Sequence, residues 1–339
     1  MTQGANAYLI DAATRHAVFL QRYAGGERKK IEAVLREMEK EIRERITRGA
    51  FADLTPAQMQ KQLDAIRQIS LELMGEAIAS VRGEVRGLAE YEAQFTSKMV
   101  DKVTSVEIDT TVAAAQQIAS AALAKPILGR PFTEITRNYR RDSVDRVLAA
   151  TRQGYFAGDT NEVIIERIQD SIETSRRSAE AMTRTATNHY ANTARREFGK
   201  EHDDILQGLR YVATLDSRTT TLCGSRDGNI YEMGEEPDLP AHVNCRSTYA
   251  YEVKDEYQLP GFEGERPAKG DEGTTQVGAK TTYPAWLKRQ SADFQEQALG
   301  KTRAELFRSG KLSLDKFVDP TGDLYTLEEL KNMEGITLE

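Results

Sequence analysis

Residues 215–251 read LDSRTTTLCGSRDGNIYEMGEEPDLPAHVNCRSTYAY. Both cysteines of the 339-residue chain, Cys223 and Cys245, fall in this stretch, together with His242, one of only four histidines. Such a concentration of soft side chains points to a local task. Just upstream, residues 208–215 (GLRYVATL) mix β-branched, aromatic and apolar side chains and predict a strand. Asp216-Ser217 stops it, and Asp227-Gly228 is a hairpin turn signal. Pro237 and Pro240 hold the approach to His242 extended. Residues 246–251 (RSTYAY) predict a second strand. His242 and Cys245 are therefore expected on a rigid loop entering that strand, within a small α+β module at 205–253.

Several chemistries can be built from these residues. Cys223, His242 and Cys245 offer sulfur, nitrogen and sulfur ligands, and Asp216 could complete a tetrahedron around zinc. The spacing C-(x)18-H-(x)2-C lacks the paired knuckles of common structural zinc sites, because Arg226 stands where a second cysteine would follow Cys223. Without a metal, the thiols are small buried hydrophobes and His242 donates to a loop carbonyl. A catalytic Cys–His pair would need an orienting partner such as Asp216 or Asn244. Metal-assisted phosphodiester cleavage would draw on Asp216, Asp227 and His242. A purely structural use is equally open. Asp216 can cap the turn through the Thr219 or Thr220 amides, and Arg218 or Arg246 can lock a carboxylate in a two-pronged pair. No phosphate-binding glycine loop, dinucleotide fingerprint, nucleophile elbow or H-E-x-x-H helix occurs.

The ordered set Asp216, Arg218, Thr219, Cys223, Asp227, Gly228, His242, Asn244, Cys245, Arg246 and Ser247 resembles the signature of the phage Mu protein F-like family of minor head, or head morphogenesis, proteins. The family's usual proline pair is reduced here to Pro240 followed by Ala241, and the additional cysteines of some members are missing. The resemblance covers about 130–253. It implies a virion protein of the phage head interior or portal vertex, assembled in the host cytoplasm and present in several copies. The implied partners are the portal protein, the major capsid or scaffold protein, and double-stranded DNA contacted without sequence preference during packaging or ejection. It implies binding rather than turnover, with no required cofactor. The rival is a metal-dependent nuclease, or another phage enzyme, using the Cys/His/Asp cluster.

Outward from the module, helical periodicity dominates. Residues 5–23 place Leu9, Ala12, His16, Phe19 and Tyr23 on one side, and Gly25-Gly26 is expected to break that helix. Residues 27–48 carry a narrow seam of Ile31, Val34, Leu35, Met38, Ile42 and Ile46, flanked by acid-first pairs such as Glu39–Arg43 and Glu44–Arg48. Thr55-Pro56 starts a helix reaching about residue 103, and an alanine-rich segment follows at 105–124. Residues 1–125 thus predict a helical bundle or arm. After a two-proline loop, 126–253 predicts the head-morphogenesis domain. Its helices are expected over 133–157, from a cap at Asn161, and over 175–198, ahead of the α+β module. Residues 254–282, rich in Gly, Pro, Thr and charge, predict a linker. Residues 283–339 predict a short helical docking tail with Trp286, Phe307 and Phe317 as partner-binding anchors and a capping box at Thr326-Glu329. The fold class expected is mainly α.

Charge narrows the function. The net charge is −7, which argues against a dedicated sequence-reading DNA protein. Residues 126–200 hold 13 basic and 10 acidic side chains, while 201–339 hold 16 and 26. Only the middle segment, with arginines at 137, 140, 141, 146, 176, 177, 184, 195 and 196, could present a basic face. Mean hydropathy is −0.57, and no apolar run reaches membrane-spanning length. No basic segment followed by an apolar stretch opens the sequence, so no secretory leader is expected. Two cysteines make no disulfide framework.

Overall fold

The computed structural model describes residues 2–48, 54–109 and 111–335. The chain is mainly α-helical with a small α+β module. Five helices form the body: α1 (Ala5–Arg48), α2 (Pro56–Asp101), α3 (Val112–Leu123), α4 (Phe132–Ala157) and α5 (Asn161–Glu201). At ~1.5 Å per residue, α1, α2 and α5 are each about 60–70 Å long.

The expected break at Gly25-Gly26 does not occur. Each glycine costs a helix up to about 1 kcal/mol, but Leu20, Ala24, Glu27 and Ile31 around the pair are all buried. Tertiary packing of that face outweighs the local penalty. The two helices expected on either side of residue 174 are likewise one, α5. Its cap is Thr160, whose side chain accepts from the Val163 amide. Asn161, expected as the cap, instead donates its side-chain amide to the Ile46 carbonyl at 3.1 Å. The start at Thr55-Pro56 is as expected, with a capping box closed by Gln58.

Among the described residues, two large cores lie along the bundle. One gathers Ile31, Leu35 and Ile42 of α1, Leu63 and Ile66 of α2, Val144 and Val147 of α4, and Ile164 and Ile168 of α5. The other joins Leu9, Val100, Ile118 and Phe198 to Leu209, Tyr211, Tyr249 and Tyr251 of a sheet. Residues 1–125 therefore share both cores with 126–253. That sheet has the antiparallel order β4-β2-β5, from β2 (Leu206–Val212), β4 (Ile230–Tyr231) and β5 (Thr248–Val253). Its register sets Leu209 opposite Tyr251 and Tyr211 opposite Tyr249. Every residue of β5 is buried. At the end of β5, the Asn6 side chain donates to the Val253 carbonyl at 3.2 Å and accepts from its amide at 2.9 Å, pairing with the strand as a neighbouring backbone would.

The linker expected at 254–282 is instead largely sheet. β6 (Glu263–Gly270) and β7 (Gly273–Gly278) form a hairpin, with β1 (Thr2–Gln3) antiparallel and β3 (Leu215–Asp216) parallel to β6. The inward positions of β6 are Gly264, Arg266 and Ala268. An alternation of glycine, arginine and alanine carries no apolar signal, so the sequence conceals the strand. Gly264 is required there, since a Cβ would overlap the Ala7 carbonyl.

The tail also differs from expectation. α7 (Tyr283–Leu287), α8 (Ala292–Leu299), α9 (Lys301–Arg308) and α10 (Leu327–Glu334) close a third core with Leu215 and Ala268. Trp286, Phe307 and Phe317, expected as partner anchors, are 3%, 1% and 0% exposed within that core. Packed against their own chain, they present no docking surface.

Candidate functional site

Thr220 caps a short helix, α6 (Thr221–Arg226), by accepting from the Cys223 amide at 3.3 Å, which fixes Cys223 in the first turn. The facing element is the turn His242–Cys245, closed by the Cys245 amide donating to the His242 carbonyl at 3.1 Å. Asn244 takes the left-handed conformation with φ +62°, which asparagine tolerates better than most residues. Its amide donates to Thr185 Oγ1 of α5 at 3.1 Å. The result brings Cys223 Sγ to 3.3 Å from His242 Nε2 and 3.8 Å from Cys245 Sγ. The three ligand atoms lie within 4.8 Å of one another. Both thiols are buried and free.

Hydrogen bonding from Cys245, and then from His242, pulls the Cys223 thiol well below its usual range despite burial. Cys245 moves the other way, raised by its contact with Cys223 and by burial. His242 is raised by its bond to Cys223 against the opposing effect of burial. The cluster thus favours a thiolate at Cys223 held between donors, to which the Tyr211 hydroxyl adds a bond at 3.2 Å.

Asp216 does not join this cluster. Arg246 grips it through two bonds, at 2.5 and 2.8 Å, and the Arg218 amide donates to it at 3.0 Å. Burial alone would raise this carboxyl, but Arg246 and then Arg218 hold it below the ordinary carboxylate range. As a fourth metal ligand, and as an orienter of His242, Asp216 is therefore corrected to a structural tie. The expected turn is present, with the Arg218 amide as donor in place of Thr219 or Thr220. Asn244 does not orient the imidazole either, because His242 Nδ1 is committed to the Val243 carbonyl at 2.9 Å.

Asp227 is equally committed. Its carboxylate accepts from the Ala213 amide at 2.7 Å, the Tyr283 amide at 2.6 Å and the Arg266 guanidinium at 3.0 Å. Arg266 also donates to the Ala213 and Thr281 carbonyls. The hairpin expected at Asp227-Gly228 is a helix-to-strand turn, with Gly228 at φ +91°. Asp216, Asp227 and His242 are thus not a converging catalytic set.

Sequence reasoning missed the face of α5 that docks β5. Asn188 donates to the Ser247 carbonyl at 2.8 Å, and Asn192 accepts from the Tyr249 amide and the Thr248 hydroxyl, each at 3.0 Å. Arg195, fully buried, donates to the Tyr249 carbonyl and pairs with buried Glu92 at 3.5 Å. Glu92 also pairs with His16. The polar spacing 188-192-195 on one helix face was the available signal. The basic face considered for DNA is largely spent on the chain itself. Arg140 bonds the Leu71 carbonyl, Arg146 bonds Ser175, Arg184 pairs with Glu180, and Arg196 pairs with Glu236 and Asp238.

Fold and site define a class: a helical protein whose small sheet is fastened to the bundle by a buried polar network beside a cluster of two thiols and an imidazole. Residues 145–250 match the family model described as Phage Mu protein F like protein, and over this segment the chain is similar to that family. The match, less than half of the chain, runs from within α4 to β5 and includes the cluster, Asp216 and Asp227. No curated protein and no solved structure matches the chain. No helix among the described residues is long and apolar enough to cross a membrane.

Proposed function

We propose that the chain is a minor structural component of a phage head, bound at or near the portal vertex and acting in head assembly by binding rather than turnover. The observation that carries this reading is the family match over 145–250, whose span coincides with the α5-to-β5 framework. The engagement of Asp216 and Asp227 by arginines and backbone amides supports a scaffold over a nuclease, since those donors compete with a catalytic metal for the same carboxylate oxygens. Portal protein is the expected partner, with major capsid or scaffold protein as further contacts. Cross-linking mass spectrometry on purified proheads tests this. The chain should be found in the particle at low copy number with cross-links to the portal. Particles of normal composition assembled without it would refute the reading.

A further inference from the structure

We propose that Cys223, His242 and Cys245 bind one zinc ion whose fourth position is filled by solvent. The geometry is close to what such an ion requires. Around tetrahedral zinc, with Zn–S about 2.3 Å and Zn–N about 2.0 Å, two sulfurs sit about 3.8 Å apart and sulfur and nitrogen about 3.5 Å apart. The separations here are 3.8 Å between the sulfurs and 3.3 Å from Cys223 Sγ to His242 Nε2. The third separation, from Cys245 Sγ to His242 Nε2, is bounded at 4.8 Å, so an ion would draw these two side chains together by up to about 1.3 Å. Two sulfurs and one imidazole suit zinc and not magnesium or calcium, which take oxygen ligands.

The surroundings are those of a prepared ligand set. His242 Nδ1 is held by the Val243 carbonyl at 2.9 Å, so Nε2 is the nitrogen that faces Cys223 and would give up its proton as the ion binds. Metal-bound imidazoles are commonly fixed by such a bond. The Tyr211 hydroxyl reaches Cys223 Sγ at 3.2 Å and can donate to a bound thiolate. Both supporting backbones are held independently of any metal, α6 by the Thr220 cap and the 242–245 turn by Thr185. Among the described residues no further His, Cys, Asp or Glu joins the group. Beside Cys223 and His242 lies a cavity of about 30 Å³, bordered also by Thr220, Asn244, Arg218 and Arg246. That space holds about one water molecule, which supplies the remaining ligand. The ion would thus join α6 to the entrance of β5, independently of whether the chain works in head assembly.

The test uses the full chain, produced in zinc-supplemented medium and purified under reducing conditions without chelator. Elemental analysis and native mass spectrometry should find about one zinc per chain. Cobalt substitution should give the visible bands of a tetrahedral thiolate site. Cys223→Ser and Cys245→Ser should each reduce zinc to below about 0.1 per chain at micromolar free metal. His242→Cys should keep near-stoichiometric zinc, because a thiolate can replace the imidazole as ligand while losing its bond to Val243. That variant and the unmodified chain remain informative should the serine variants fail to fold. Folded, reduced wild-type chain with less than about 0.1 zinc overturns the proposal. So does a Cys223–Cys245 disulfide in the freshly purified chain, or full zinc retention in Cys223→Ser.

Discussion

Asp216 and Asp227 are both held by an arginine, and only the first pairing was partly legible from the sequence. The sequence offered Arg218 or Arg246 as the arginine of a two-pronged pair and Asp216 as a turn cap, and the structure joins Arg246 to Asp216. Asp227 reads as half of a turn dipeptide, because its partner Arg266 lies in a segment with no recognisable strand pattern. The two should differ in energetic weight. Arg266 and Asp227 are buried, and Asp227→Ala leaves a guanidinium without its charge partner, which should cost about 3–5 kcal/mol. Arg246 keeps a fifth of its side chain in solvent, so water can rehydrate it, and Asp216→Ala should cost about 1.5–3 kcal/mol. Urea unfolding of the two variants checks the order. A larger loss for Asp216→Ala would mean that Asp227 is less central than its bonds indicate.

Among the helices, apolar periodicity located each long element and misjudged only where they stop. Gly25-Gly26 and the Asn161 cap are local signals: the first was overruled by burial of the side chains around the pair, the second by Thr160, which caps the helix while Asn161 bonds the Ile46 carbonyl. What periodicity could not show is the polar layer between the helices. His16 of α1, Glu92 of α2 and Arg195 of α5 meet inside the bundle, with the His16 ring stacked on Phe95 at 3.7 Å. Burial depresses the pKa of His16, outweighing Glu92, and burial likewise depresses that of His189 against the Lys125 carbonyl. In the unfolded chain both histidines titrate near ~6.5. The unfolded state therefore takes up these protons first as the pH falls, and stability should decline below about pH 6.5 until the folded-state sites titrate. A His16→Gln/His189→Gln double variant keeps polar side chains at both positions and should show a shallower decline between pH 7 and 5. Parallel slopes in calorimetry or urea titrations would assign the proton uptake to other groups.

At the level of the whole molecule, composition suggested a body, a linker and a tail, whereas the chain closes on itself. The hairpin of β6 and β7 hid from the sequence because its inward residues are glycine, arginine and alanine. The tail's aromatic residues were visible, but nothing in their spacing says whether their partner is another protein or this one. Since Trp286 packs in the third core with Leu215 and Ala268, Trp286→Ala should cost about 3–5 kcal/mol of folding stability. Differential scanning calorimetry should record the loss on the isolated protein. An unchanged unfolding midpoint would return Trp286 to the role of an external anchor.

The amide of Asn6 meets the main chain of Val253 across 247 residues of sequence, and the strand at Thr2–Gln3 pairs with residues 263–264. During synthesis the first helix therefore leaves the ribosome long before the strand that completes it exists. Native closure must wait for most of the chain, and over that interval the apolar side of α1 has no sheet to cover it. A chain stalled before those residues are made should therefore lack the native closure of α1, however much of the bundle it already contains.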